Sequence, residues 1–93
     1  MSKGVRQQPE RLAEKLKQIR LTLGLSQSQM LRRLGLEEVM SYTKISHYEL
    51  GRRLPSFMEL LRYAEAAGVC TDVLLRDDLE LPSKLPNKPK HKL

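Results

Sequence analysis

Gly24, Gly35, Gly51 and Gly68 divide the middle of the chain into segments just long enough for short helices. Each follows a run whose apolar residues recur at spacings of three and four, the signature of one helix face. A glycine just past such a run stops it, because it enters the left-handed backbone region without a Cβ clash. Leu12, Leu16, Ile19 and Leu23 form the buried face of a first helix, with Pro9 in its first turn and charged residues opposite. Ser26 followed by Gln29 is a capping-box pattern that opens a second helix, with Met30, Leu31 and Leu34 inward. The stretch from Leu36 to Met40 reads either as an irregular turn or as a further helical turn. Ser41 caps a third helix, about residues 41–50, which turns Ile45 and Tyr48 inward. Arg52 to Pro55 is a loop. Ser56 and Glu59 form another capping box, and Phe57, Leu60, Tyr63, Ala64 and Ala67 give the buried face of a fourth helix. Cys70 or Thr71 caps a short fifth helix carrying Val73 and Leu74.

Leucine dominates the apolar residues and aromatics are few, which favours helix packing over sheet. At 93 residues the chain holds one small domain. The expectation is an all-α, compact five-helix domain over residues 9–78. A flexible basic arm (1–8, with Lys3 and Arg6) precedes it. An extended or disordered Pro/Lys-rich tail (79–93) follows.

Charge is unevenly spread. Residues 1–56 carry 11 Lys/Arg against 5 Asp/Glu, residues 57–83 carry 2 against 6, and residues 84–93 add four lysines and no acid. A basic half, an acidic half and a basic tail suit a molecule with one face for a polyanion, although a generic basic surface has the same counts. Enzyme chemistry lacks its parts. His47 and His91 are isolated, Glu37-Glu38 reads as a solvated turn, and neither a phosphate-binding glycine loop nor metal-ligand spacing is present. No cofactor or metal is expected. The single cysteine, Cys70, excludes an internal disulfide and a multi-thiolate zinc site. It reads as a small capping or buried residue, with a redox switch the lesser alternative. With no signal-peptide pattern and no apolar run of membrane length, the expectation is a soluble cytoplasmic protein.

The third helix carries the chemistry. Ile45 and Tyr48 anchor it to the core, and Glu49 lies on the same side, where a lone charge is costly to bury. Arg20, at the end of the first helix, is its natural partner. The outward side then consists of Tyr42, Thr43, Lys44, Ser46 and His47, with Thr43 and His47 one turn apart.

The run Leu25-Ser26-Gln27 … Gly35 … Ile45-Ser46-His47-Tyr48-Glu49-Leu50-Gly51-Arg52-Arg53-Leu54-Pro55-Ser56 resembles the Xre/Cro family, whose prototypes are the phage lambda-type repressors. The likeness covers roughly residues 10–77. It implies a lambda-repressor-like helix-turn-helix fold and sequence-specific binding of double-stranded DNA by a bacterial or phage transcription regulator, commonly a repressor. In that family an Arg seven residues before the Gln pairs with the Glu, which is the spacing of Arg20 to Gln27 and implies the Arg20–Glu49 pair. By the same resemblance Tyr42, Thr43 and His47 fall on base-reading positions, with Ser46 beside them. Phosphate contacts are expected from Gln27 and Ser28, from Lys44, and from Arg52 and Arg53; a guanine contact is the alternative for Lys44. The arm would follow the groove.

This chain departs from the pattern in two places. It has four extra residues between Gly35 and Ile45, and Leu31 stands where the family has a small alanine. The bulkier Leu31 is expected to push the second and third helices apart or change their angle, and the extra residues either form a longer turn that accommodates the change or lengthen the second helix. The resemblance also implies a homodimer. Leu74, Leu75, Leu79, Leu81 and Leu85 either form its contact or cover the chain's own core. The competing reading is an antitoxin or an adaptor in a transcription complex, with the acidic fourth and fifth helices or the tail binding a protein partner.

Overall fold

The computed structural model describes residues 9–85. The arm 1–8 and residues 86–93, His91 among them, lie outside the described residues. Every regular element among those described is helical: α1 Leu12–Leu23, α2 Gln27–Arg33, α3 Tyr42–Glu49, α4 Phe57–Ala67 and α5 Thr71–Leu75. The helices close around one core of Leu12, Leu16, Ile19, Met30, Leu31, Leu34, Ile45, Tyr48, Tyr63, Ala64, Ala67, Leu74 and Leu85. Leu31, the bulky residue at the helix crossing, is buried within it.

Both capping boxes form. Ser26 Oγ accepts from Gln29 N while Gln29 Oε1 accepts from Ser26 N, and Ser56 and Glu59 do the same at α4. Ser41 Oγ accepts from Thr43 N at the start of α3. Glycine is demanded most strictly at Gly35. Its φ is +74°, and a Cβ there would stand 2.9 Å from Arg62 Nη1, which is occupied in donating to Leu34 O at 2.8 Å. Arg62 thereby caps the end of α2 from α4.

The stretch from Leu36 to Met40 is a single turn, with Leu36 O accepting from both Val39 N and Met40 N. Leu36 and Met40 pack against the core while Glu37, Glu38 and Val39 are exposed. The extra residues are thus a small outward knuckle pinned at both ends.

Three expectations are corrected. Pro9 lies outside α1, which begins at Leu12. Its N-terminus is capped from far along the chain, for Asp77 Oδ2 accepts from Glu10 N and Asp77 Oδ1 from Arg11 N, each at 3.0 Å. Lys15 is not on a solvated face but 1% exposed. Its Nζ donates to Val73 O, Arg76 O and Leu79 O at 2.8, 2.8 and 2.7 Å, so that each ammonium proton has a carbonyl at the end of α5. Burial, and then the Arg11 charge, hold its pKa below the ordinary lysine value despite Asp77 and Glu80. Phe57 faces solvent, because it is the first residue of α4 and precedes the turns that meet the core. Of the two readings of the C-terminal leucines, Leu74 and Leu85 fit the one in which they cover the chain's own core.

Residues 79–85 carry no helix and lie along the domain. Arg11 Nη1 and Nη2 hold the Glu80 carboxylate, Leu81 packs on the core and Leu85 enters it. Cys70 is exposed and occupies the N-cap position of α5 without a side-chain capping bond.

Candidate nucleic-acid interface

The position of α3 is set by what its inner side touches. Ile45 and Tyr48 are buried in the core. The Glu49 carboxylate is 3% exposed and takes both bonds of a bidentate pair, from Arg20 Nε at 2.7 Å and Arg20 Nη2 at 3.0 Å. Arg20 Nη1 donates to Leu25 O at 2.9 Å, and Gln27 Nε2 reaches Glu49 Oε1 at 3.3 Å. Arg20 therefore joins the end of α1, the turn before α2 and the end of α3. The hydrogen bond to Glu49 raises the guanidinium pKa further, against burial. The pairing matters because an uncompensated charge at this depth is strongly destabilising, whereas a bidentate pair is tolerated.

A second tie fixes α3 to α4. Tyr48 Oη donates to Glu59 Oε1 at 2.6 Å, on the carboxylate that also completes the Ser56 capping box. Burial, with the bond to Glu59 second, pushes the Tyr48 phenol well above its ordinary range. Burial alone would raise Glu59, but the bonds from Tyr48 and from the Ser56 N–H outweigh it and hold the carboxyl below its usual value. Met40 Sδ lies 4.0 Å from the same hydroxyl, so the knuckle before α3 abuts this tie.

With that side occupied, the outer side of α3 faces solvent. Tyr42 is 54% exposed and Thr43 is exposed, both in the first turn; Lys44, Ser46 and His47 are half-buried. Tyr42 and Ser46 form one column, Thr43 and His47 the next. Gly51, at φ +76°, turns the chain back so that Arg52 N donates to His47 O. Arg52 and Arg53 are then exposed beside the end of α3. They border a cleft of about 370 Å³ that Pro9, Glu10, Tyr48 and Pro55 also line.

At the start of α2, Ser28 is exposed and Gln27 is half-buried against Glu49. Arg32 and Arg33 are exposed on the last turn of α2. Arg32 stands four residues after Ser28 and shares its face. Among the described residues no group of three or more metal-ligating side chains converges, and no helix is long and apolar enough to cross a membrane.

A short helix seated by its apolar side, polar outward, packed against a second helix across a turn, is the arrangement that the family model for the helix-turn-helix domain matches over residues 11–78. The chain belongs to the helix-turn-helix domain family. Neither a curated protein nor a solved structure gives a significant match to it. A helix-turn-helix domain is a module for double-stranded DNA, and domains of this kind are typically not enzymes. In this helix-turn-helix domain the connection from α2 to α3 is longer than a simple turn, and the Leu36–Met40 knuckle accounts for the excess.

Proposed function

We propose that this chain is a sequence-specific DNA-binding transcription regulator of the Xre/Cro type, acting as a repressor in the cytoplasm, with α3 laid in the major groove. The observation that carries the reading is the two-sidedness of α3. Its inner side is locked by Ile45, Tyr48 and the Arg20–Glu49 pair, while Tyr42 and Thr43 project from its first turn, the part such proteins bring nearest the bases. Hydroxyl groups bond to several base edges and a Thr methyl packs on thymine, so Tyr42, Thr43, Ser46 and His47 are the base readers. Ser28, Lys44, Arg52 and Arg53 take phosphates and set the register. Gln27 joins them through its carbonyl end and its neighbours, its Nε2 being directed at Glu49. Two copies act together, because two recognition helices about 34 Å apart along the duplex multiply a modest single-site affinity.

Paired variants test the division of labour. Replacing Thr43 and His47 together by Ala is expected to lower affinity for the preferred site about tenfold or more. Binding to random duplex and thermal stability should stay unchanged. Replacing Arg52 and Arg53 by Ala should instead weaken all duplexes alike and reduce the slope of log K against log salt by about 2. Site preference that survives loss of Thr43 and His47 would remove them from base reading.

A further inference from the structure

The knuckle between α2 and α3 is held before any duplex arrives. Leu36 N donates to Leu31 O at 3.1 Å, and Leu36 O accepts from Val39 N at 3.0 Å and from Met40 N at 3.1 Å. Leu36 and Met40 pack on the core at its two ends, and Met40 Sδ abuts the Tyr48 hydroxyl. Between these anchors Val39 is 73% exposed, and among the described residues no large aliphatic side chain is more so. A single valine in water is ordinary on a protein surface. What sets this one apart is its place in the chain.

Val39 stands three residues before Tyr42, the first residue of α3. Consecutive Cα atoms are 3.8 Å apart, so the Cα atoms of Val39 and Tyr42 lie within about 11 Å of each other. The major groove of B-DNA is roughly 12 Å wide. A duplex that receives the first turn of α3, the reading on which this inference rests, therefore brings Val39 to the same groove. The residues between are fixed, because Ser41 Oγ accepts from Thr43 N and Ser41 O accepts from Lys44 N at 3.1 Å. Glu37 and Glu38, the other exposed residues of the knuckle, enter no ion pair among the described residues. Phosphates repel both carboxylates, so the knuckle gains nothing by lying along the sugar–phosphate backbone. The valine side chain has neither donor nor acceptor and cannot read the polar atoms of a base edge. The major-groove group that suits it is the C5 methyl of thymine.

We propose that Val39 is a specificity-determining residue, packing on the C5 methyl of a thymine beside the bases met by Tyr42 and Thr43. The knuckle is already ordered, so the contact carries little of the cost of fixing a loop. The domain thereby reads one position from outside its recognition helix, at the flank of the half-site next to the N-terminus of α3.

Deoxyuridine in place of thymine removes that methyl and nothing else, which makes it the probe. Each thymine of the site preferred by the full chain is replaced in turn and bound to wild type, Val39→Ala and Thr43→Ser. Thr43→Ser is included because Thr43 also presents a methyl group. At one thymine per half-site, replacement should weaken wild type and Thr43→Ser about fourfold and Val39→Ala less than about 1.5-fold. Val39 is exposed, so the thermal melt of Val39→Ala and its affinity for random duplex should match wild type. The inference is overturned if every deoxyuridine effect is the same in Val39→Ala as in wild type, or if the preferred half-site contains no thymine. Either result leaves base reading by α3 standing, provided that the Thr43 and His47 double variant still abolishes site preference. A protein with no preferred site at all would bring down both.

Discussion

Arg20 and Lys15 each spend a full charge inside the molecule, and they do so for different ends. Arg20 meets a carboxylate, Glu49, with two parallel bonds and adds a third to Leu25 O, so three elements share one guanidinium. Lys15 meets no carboxylate directly and satisfies three carbonyls of the C-terminal segment. The position of Lys15 was open to a reader of the sequence: three residues after Leu12 and four before Ile19, it stands on the apolar face. Its chemistry was not, because a lysine there is judged by its usual preference for water, and its acceptors lie about sixty residues away. The Glu49 pair was readable because both members stand at helix ends beside residues whose inward direction is set by spacing. Replacing Glu49 by Gln leaves Arg20 without its counter-charge at a site where its own side chain is 12% exposed. The expected cost is about 3 kcal/mol in urea unfolding, with weaker DNA binding because α3 loses its clamp.

Helix starts and stops show where local signals suffice. Ser26 with Gln29 and Ser56 with Glu59 formed their boxes because each contains both donor and acceptor within one turn. The start of α1 has no such local group: Arg11 is its N-cap and makes no side-chain capping bond, so Asp77 supplies the acceptor from beyond α5. No pattern within residues 9–12 contains that information, so Pro9 suggests an earlier start than the one at Leu12. The consequence is a pH dependence. The N–H groups of Glu10 and then Arg11 hold the Asp77 carboxyl below its ordinary 3.8, and the hydrogen bond from Arg11 holds Glu80 below 4.5. A carboxyl with a depressed folded-state pKa contributes stability that is complete above its unfolded value and disappears as pH falls through the folded one. Stability should therefore decline on acidification below about pH 5, and Asp77→Asn should flatten that decline while lowering stability at neutral pH. Urea midpoints measured across this range check it. An acid limb identical in Asp77→Asn would show that the cap contributes nothing. The knuckle between α2 and α3 was equally beyond local signals, since Leu36 and Met40 are apolar enough for either a turn or a helix and only the core decides.

At the level of the whole molecule, charge and apolar surface are separated. The basic N-terminal half presents α3 and the Arg52–Arg53 loop, and the acidic α4–α5 side carries an exposed apolar groove that begins at Phe57. The sequence conveyed the first of these well, because the polarity of α3 alternates with helical period. It misled about the second: Phe57 continues the apolar pattern of α4 and looks internal, but α4 meets the core only from its fourth position, Leu60, onward, at Tyr63, Ala64 and Ala67 most deeply. The central claim is that the outer side of α3 reads a duplex. Selection of bound sequences from a random DNA library, at a stated salt concentration, tests it most directly. The account predicts enrichment of a short motif in two inverted copies spaced by about one helical turn, with the preference lost when Thr43 and His47 become Ala. A pool that stays random through repeated rounds, while the protein is folded and still binds duplex, would contradict it.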